Sequence, residues 1–175
     1  MLLESMSPNE ANALYILNNL NSEQIVKLAN EWILTGLFTD SLNDLCWEKE
    51  PEMYIVGPMF EKLVKELNIP QLTRLEAANL IIEKTLTQIV NKEIEPEVGG
   101  SYIYNYVWGE VEDEYPVKKY LGDSLGLEHI FCWLREIWDC RDGSRILYYT
   151  DLPRSEAEKK FEEHLIEEAQ NWLKK

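Results

Sequence analysis

The sequence predicts an all-α fold, a single-domain irregular helical bundle of about seven to eight helices with at most one small β-hairpin. Apolar residues recur every three or four positions along most of the 175 residues, as on the buried face of a helix. Capping boxes, in which Ser or Thr is followed three residues later by Glu, stand at Ser7, Thr73 and Ser155. No Pro- or Ser-rich linker divides the chain, and its length suits one domain.

The first half of the chain contains start and stop signals for four helices. Ser7 opens the first helix, with Pro8 at the favoured first position. Ser22 is the predicted cap of a second helix and Gly36 its stop. Thr39 or Asp40 is expected to start a short third helix, and Pro51 a fourth piece. Gly57 and Pro58 are expected either to kink that piece or to divide it.

The helix that begins at Thr73 is predicted to lie at the centre of the fold. Thr73 and Glu76 form its capping box, and Pro70 keeps the preceding chain out of the helix. Apolar side chains between Leu75 and Val90 cover most of its circumference. Because such a helix is normally packed on several sides, we expect the other helices to surround it.

Residues 101–108 leave two alternatives open. Alternating aromatic residues fit one face of a strand; they are Tyr102, Tyr104, Tyr106 and Trp108. A helix opened by Pro96 would instead stack residues four positions apart, and we favour this helix.

The last third of the chain is predicted to hold two further helices. Asp123 or Ser124 starts the first, and residues 141–144 form a turn after it. Residues 145–149 are then expected to form a short extended segment. Ser155 and Glu158 cap the final helix, whose outer carboxylates we interpret as a solvated face.

Acidic residues greatly outnumber basic residues in the chain. The formal net charge is −15 and the isoelectric point about 4.5. This charge argues against nucleic acid and anionic membranes as partners, because phosphates would be repelled, and it favours a basic protein or metal ions. No secretory signal and no apolar run of roughly 18 residues is visible, so we expect a cytoplasmic protein with three reduced cysteines.

An acidic and aromatic segment is the candidate partner-binding site. No Lys or Arg occurs between Lys92 and Lys118, while Tyr, Trp and carboxylates are frequent there. The predicted site residues are Tyr104, Trp108, Glu110, Glu112, Asp113, Glu114 and Tyr115. Tyr102, Ile103, Tyr106 and Val107 are expected to turn inward, because a helix buries only part of its circumference. The alternative is a partly buried aromatic segment flanked by solvated acidic loops.

A search for chemical motifs predicts no catalytic residue, no metal ligand and no cofactor. Glycine-rich phosphate loops and His-x-x-x-His pairs are absent. The run from Glu110 to Glu114 lacks the glycine and the ligand spacing of an EF-hand. A nucleophilic pair of Cys132 with His129 has no flanking motif to support it.

The run from Ile89 to Ile103 resembles a phrase found in small, acidic, helical bacterial proteins. In that phrase a helix ends near G-x-I-x-P-x-x-G and a second helix begins; Ile94, Pro96 and Gly99 match it, whereas Lys92 replaces the first glycine. Such proteins are largely uncharacterised, and some resemble in size and charge the immunity proteins that neutralise bacterial toxins. The resemblance implies no functional residue.

Three functional hypotheses follow from these observations. The first is a non-enzymatic, acidic protein-binding domain, most plausibly an immunity-type inhibitor of a basic, toxin-like protein or nuclease. The second is a carboxylate-based, metal-dependent enzyme, suggested by the density of Glu and Asp near Trp108 and Tyr115. The third is a self-associating structural protein.

Overall fold

Helices account for the regular structure of the chain. The computed structural model describes residues 6–143, 146–147 and 149–175, and these contain eight α-helices and no strand. The helices are α1 (Pro8–Ile16), α2 (Ser22–Leu34), α3 (Asp40–Cys46), α4 (Met53–Glu66), α5 (Arg74–Val90), α6 (Pro96–Tyr102), α7 (Glu128–Asp142) and α8 (Arg154–Trp172). The all-α prediction and the expected number of helices are confirmed. No helix in this described part is both long and apolar enough to cross a membrane.

The described residues divide into two compact units. Unit 1 ends at Leu80 and unit 2 runs from Ile81 to Lys175, so the boundary falls inside α5. Each unit buries apolar side chains of its own. The expectation of a single domain stays a prediction.

Unit 1 begins with two helices that carry capping boxes. At α1 the predicted box is confirmed: the Ser7 N–H donates to Glu10 at 2.8 Å, and the Glu10 N–H donates to the Ser7 hydroxyl. At α2 the predicted cap Ser22 is wrong, because Asn21 makes the box with Gln24 through two bonds of 2.9 Å. The Ser22 hydroxyl instead donates to the carbonyl of Pro51 at 2.5 Å.

The rest of unit 1 follows the predicted signals more closely. Gly36 has a φ of +91° just beyond α2, which is the left-handed conformation expected of a helix stop. Thr39 caps α3, since its hydroxyl accepts from the N–H of Leu42 at 3.1 Å. Gly57 and Pro58 do not divide the next piece, because α4 runs through both.

The helix α5 starts at the predicted capping box. The Thr73 N–H donates to the Glu76 carboxylate at 2.7 Å, and the Glu76 N–H donates to the Thr73 hydroxyl at 3.2 Å. Six apolar residues of α5 are buried: Ala77, Ala78, Ile81, Ile82, Leu86 and Ile89.

Unit 2 packs α6 and α7 against α8. A six-residue π-helix, Ile103–Trp108, continues α6 without a break, so the helical alternative for this segment is confirmed. Gly99 permits close packing inside the unit, because a Cβ there would lie 2.6 Å from the Ile89 Cδ1 atom. The largest apolar side chains buried from this packing include Ile103, Phe131, Leu134 and Leu165.

The predicted helix start at Asp123 or Ser124 in unit 2 is wrong. Asp123 and Ser124 form only a 3₁₀ turn, Asp123–Leu125, and α7 starts at Glu128. The Asp123 carboxylate is occupied elsewhere: it accepts from the backbone N–H groups of Lys118, Lys119 and Tyr120.

The final helix begins one residue before the predicted capping box at Ser155. The Pro153 carbonyl accepts from the N–H groups of Glu156 and Ala157, both at 2.9 Å, so the backbone starts α8 at Arg154. Residues 145 and 148 of the expected extended segment lie outside the described residues.

Candidate functional site

The aromatic residues of the predicted segment form a packed cluster in unit 2. Tyr104 and Trp108 have ring centroids 5.6 Å apart. Tyr104 also meets Phe131 and Trp138 of α7 edge-on, at 5.2 Å and 5.6 Å. Trp108 meets Phe131 at 5.8 Å, so three of the four rings pack directly on one another. Such edge-to-face pairs are favourable, and they hold the π-helix against α7.

The exposure predicted for this segment is partly wrong. Trp108 is only 7% exposed, so it is a core residue that no partner can reach. Tyr106, which was expected to turn inward, is 56% exposed. Ile103 and Val107 are buried as predicted, while Tyr102 and Tyr104 are half-buried.

The π-helical geometry explains these errors. The prediction assumed 3.6 residues per turn, whereas a π-helix bonds each N–H five residues back and so has a wider turn. Side chains after Ile103 therefore point in directions that the α-helical period does not give. The buried Trp108 indole N–H finds no hydrogen-bond partner among the described residues, and the same holds for the Tyr102 hydroxyl. Burial, and then the neighbouring Tyr106, raises the pKa of Tyr102 well above its usual range.

The acidic residues beyond the π-helix form an ordered turn that presents carboxylates to water. Val111 is fully buried, and its carbonyl accepts from the N–H groups of Glu114 and Tyr115 at 3.1 Å and 2.9 Å. Glu112 and Asp113 are exposed, as is Glu114. Of the predicted site residues, Glu110 and Tyr115 are half-buried. We call residues 110–115 the acidic turn.

A groove of about 450 Å³ runs along α7. Its polar lining includes Cys132, Arg135 and Glu136, and its outer walls include Tyr120 and Tyr149. Burial, and then the Glu136 carboxylate, raises the pKa of the Cys132 thiol. Because the thiolate is the reactive form, this environment opposes a nucleophilic role for that cysteine.

Arg141 gathers three carboxylates from α6 and α8. Its guanidinium lies 3.1 Å from Glu97, 2.6 Å from Glu158 and 3.7 Å from Glu162. The Trp138 indole N–H donates to the second oxygen of Glu97 at 3.0 Å. Burial, and then Glu158, raises the pKa of Glu162, while the hydrogen bond that Arg141 donates to Glu158 raises the pKa of Arg141. We assign this network to the joining of the three helices.

Unit 1 contains a half-open cavity of about 420 Å³. The Tyr15 hydroxyl donates to Glu61 at 3.0 Å on its wall, and Asn12 is buried at its base. Burial, and then the Glu61 hydrogen bond, raises the pKa of Tyr15. The lining mixes apolar and polar groups, and the raised pKa of Tyr15 opposes formation of its phenolate.

One further surface, which no sequence pattern predicted, runs from the end of α3 through its connection into the first two residues of α4. Trp47 is 74% exposed and Tyr54 is 78% exposed, and Met53 between them is 40% exposed. We call residues 47–54 the aromatic loop. The sequence carries no distinguishing signal for this surface, because Trp47 directly follows the apolar Leu45 and Cys46 and could equally be covered.

No family model matches the chain, and comparison with curated proteins and with solved structures gives no match either. Among the described residues, no group of three His, Cys, Asp or Glu side chains is placed to hold a metal ion. Exposed side chains and negative charge occur together at the acidic turn and at the aromatic loop.

Proposed function

We propose that the protein binds a basic protein partner and acts as a non-enzymatic inhibitor of the immunity type, for which a basic toxin or nuclease is the target. The observation that carries this proposal is the acidic turn, in which three consecutive carboxylates are exposed on backbone held by the buried Val111.

The charge of both units supports this partner class. Up to residue 80 the sequence has 12 acidic and 5 basic residues, a net charge of −7. From residue 81 onward it has 20 acidic and 12 basic residues, a net charge of −8. A field of one sign over both units attracts a cationic protein from a distance and speeds its association.

The acidic turn carries a cost that binding would offset. Glu112 and Asp113 are adjacent and exposed, so their carboxylates repel each other at neutral pH. A basic partner removes this repulsion and replaces it with attraction. Since the carboxylates are exposed, the attraction is screened by salt, and the complex is expected to weaken as ionic strength rises.

The test is capture of proteins from the extract of the organism's own cells on the immobilised protein, at roughly 50 mM and 500 mM salt, which bracket a Debye length of about 10 Å. The variant carries Glu112→Gln, Asp113→Asn and Glu114→Gln. The control variant carries Glu83→Gln, Glu156→Gln and Glu163→Gln, which removes the same charge from exposed positions elsewhere.

We expect the wild type and the control to recover a cationic protein at low salt and to release it at high salt. The acidic-turn variant is expected to recover much less. Recovery of no cationic protein at either salt concentration would refute the proposal. Equal losses in the two variants would show that net charge alone is responsible and that the acidic turn is not the site.

A further inference from the structure

The aromatic loop exposes two large rings that are not part of the core of unit 1. A Trp and a Tyr that are each about three-quarters exposed represent apolar area left in water, although both residue types are usually largely buried. Trp47 directly follows α3, and Tyr54 is the second residue of α4. Aromatic residues displayed in this way are the kind that dominate binding energy at protein interfaces.

The backbone beneath these rings is ordered. The Trp47 N–H donates to the Asp44 carbonyl at 3.2 Å, and the Glu50 N–H donates to the Glu48 carboxylate at 3.1 Å. The Ser22 hydroxyl of α2 holds the Pro51 carbonyl, as described above. A loop fixed at both ends and in its middle loses little conformational entropy when a partner binds, so its rings are ready for contact.

The charged residues next to the rings in the sequence indicate which kind of partner would bind. Glu48, Glu50 and Glu52 lie within the aromatic loop, against the single basic residue Lys49. A guanidinium group fits this combination, because it stacks on an aromatic face and also forms bidentate bonds to a carboxylate. An ammonium group is more strongly hydrated and makes neither contact as well.

We infer that the aromatic loop is a docking surface for an arginine-rich segment of a partner protein. The faces of Trp47 and Tyr54 receive guanidinium groups, and Glu48, Glu50 and Glu52 pair with them. The inference rests on the proposed function for its partner class, a basic protein, but it places the energetic anchor in unit 1, whereas the acidic turn belongs to unit 2.

The experiment measures the affinity of the full-length protein for two peptides, acetylated hexa-arginine amide and hexa-lysine amide, at roughly 150 mM salt. Peptides of equal charge separate stacking from electrostatics. The loop variant carries Trp47→Ala and Tyr54→Ala. The control carries Leu34→Ala and Phe38→Ala, which removes two other exposed apolar side chains of unit 1, 86% and 69% exposed.

The wild type and the control are expected to bind hexa-arginine more tightly than hexa-lysine. The loop variant should bind hexa-arginine on the order of fivefold or more weakly, because two exposed cation–π contacts are lost, and should no longer prefer arginine to lysine. Circular dichroism checks that the loop variant keeps its helices. An unchanged arginine preference in a folded loop variant would overturn the inference.

Three further outcomes are distinguishable. If light scattering shows that the wild type is a dimer and that the loop variant is a monomer, a second copy of the chain covers the loop and the inference is wrong. If cell extract still yields a cationic protein while the loop variant binds both peptides like the wild type, this inference fails and the proposed function stands. If the extract yields no cationic protein and the wild type binds neither peptide, both fail.

Discussion

Replacing Trp108 by Ala tests whether the aromatic cluster of unit 2 is part of the core or part of a binding surface. The ring is 7% exposed and packs on Tyr104 and Phe131. A Trp side chain contributes about 150–250 Å² of buried surface, which at about 25 cal/mol per Å² corresponds to about 4–6 kcal/mol. Measured Trp-to-Ala costs in cores are about 3–5 kcal/mol.

The unpartnered indole N–H of Trp108 reduces this cost. Its burial without a hydrogen bond costs about 1–3 kcal/mol, which the substitution recovers. Taking the middle of each range, we expect Trp108→Ala to lower the free energy of unfolding by about 2–3 kcal/mol, a large part of the 5–15 kcal/mol typical of a domain. Trp108→Phe should cost less than Trp108→Ala, because it keeps an aromatic ring and removes the N–H group.

The matched control is Tyr106→Ala, on the same π-helix but 56% exposed. Its ring stacks on that of Tyr102, with centroids 5.6 Å apart, and more than half of the side chain is in water, so its removal should cost under about 1 kcal/mol. Urea unfolding followed by far-ultraviolet circular dichroism measures both variants. Equal stability of the Trp108→Ala and Tyr106→Ala proteins would refute the assignment of Trp108 to the core.

Two further predictions concern the turn before α7. Gly122→Ala should destabilise unit 2 by roughly 2–4 kcal/mol in the same unfolding assay, because φ is +79° and the new Cβ would lie 2.6 Å from the Phe131 ring. The control is Gly143→Ala, which should cost only about 1 kcal/mol, because φ is +73° but no described atom lies within 4 Å of the new Cβ. Similar costs for the two variants would contradict the packing argument. Hydrogen bonds from three backbone N–H groups hold the pKa of Asp123 at about 2, so its stabilisation should be present above the unfolded pKa of roughly 3.9 and be lost as pH falls towards about 2. A carboxyl titration by NMR with its midpoint near the unfolded value would exclude these bonds.

Local signals in the sequence were sufficient where the interaction itself is local. The capping boxes at Ser7 and Thr73 join residues three apart, so residue type and spacing decide them. The glycine stop at Gly36 likewise depends on one φ angle. The box predicted at Ser155 failed because the carbonyl of Pro153 already starts the helix, a choice between two local solutions that spacing does not rank.

The candidate site was less predictable, because exposure depends on what packs against each face. The acidic turn was found from composition; Glu112, Asp113 and Glu114 are exposed as expected, whereas Glu110 is half-buried. Trp108 was assigned to the surface because the π-helical turn and the position of Phe131 on α7 were not visible in the sequence. Trp47 was missed for the converse reason, since an aromatic residue at a helix end has the same local pattern whether or not a neighbour covers it.

The sequence by itself therefore determined the all-α class, the starts of α1, α3 and α5, and the strong negative charge. Those properties depend on residue type, on spacing within a few positions and on simple addition of charges. Only the tertiary structure decided that Trp108 is buried while Trp47 and Tyr54 remain in water. Burial is a property of contacts between residues far apart in the chain, and hydrophobicity gives the same driving force to every Trp until packing decides which of them is covered.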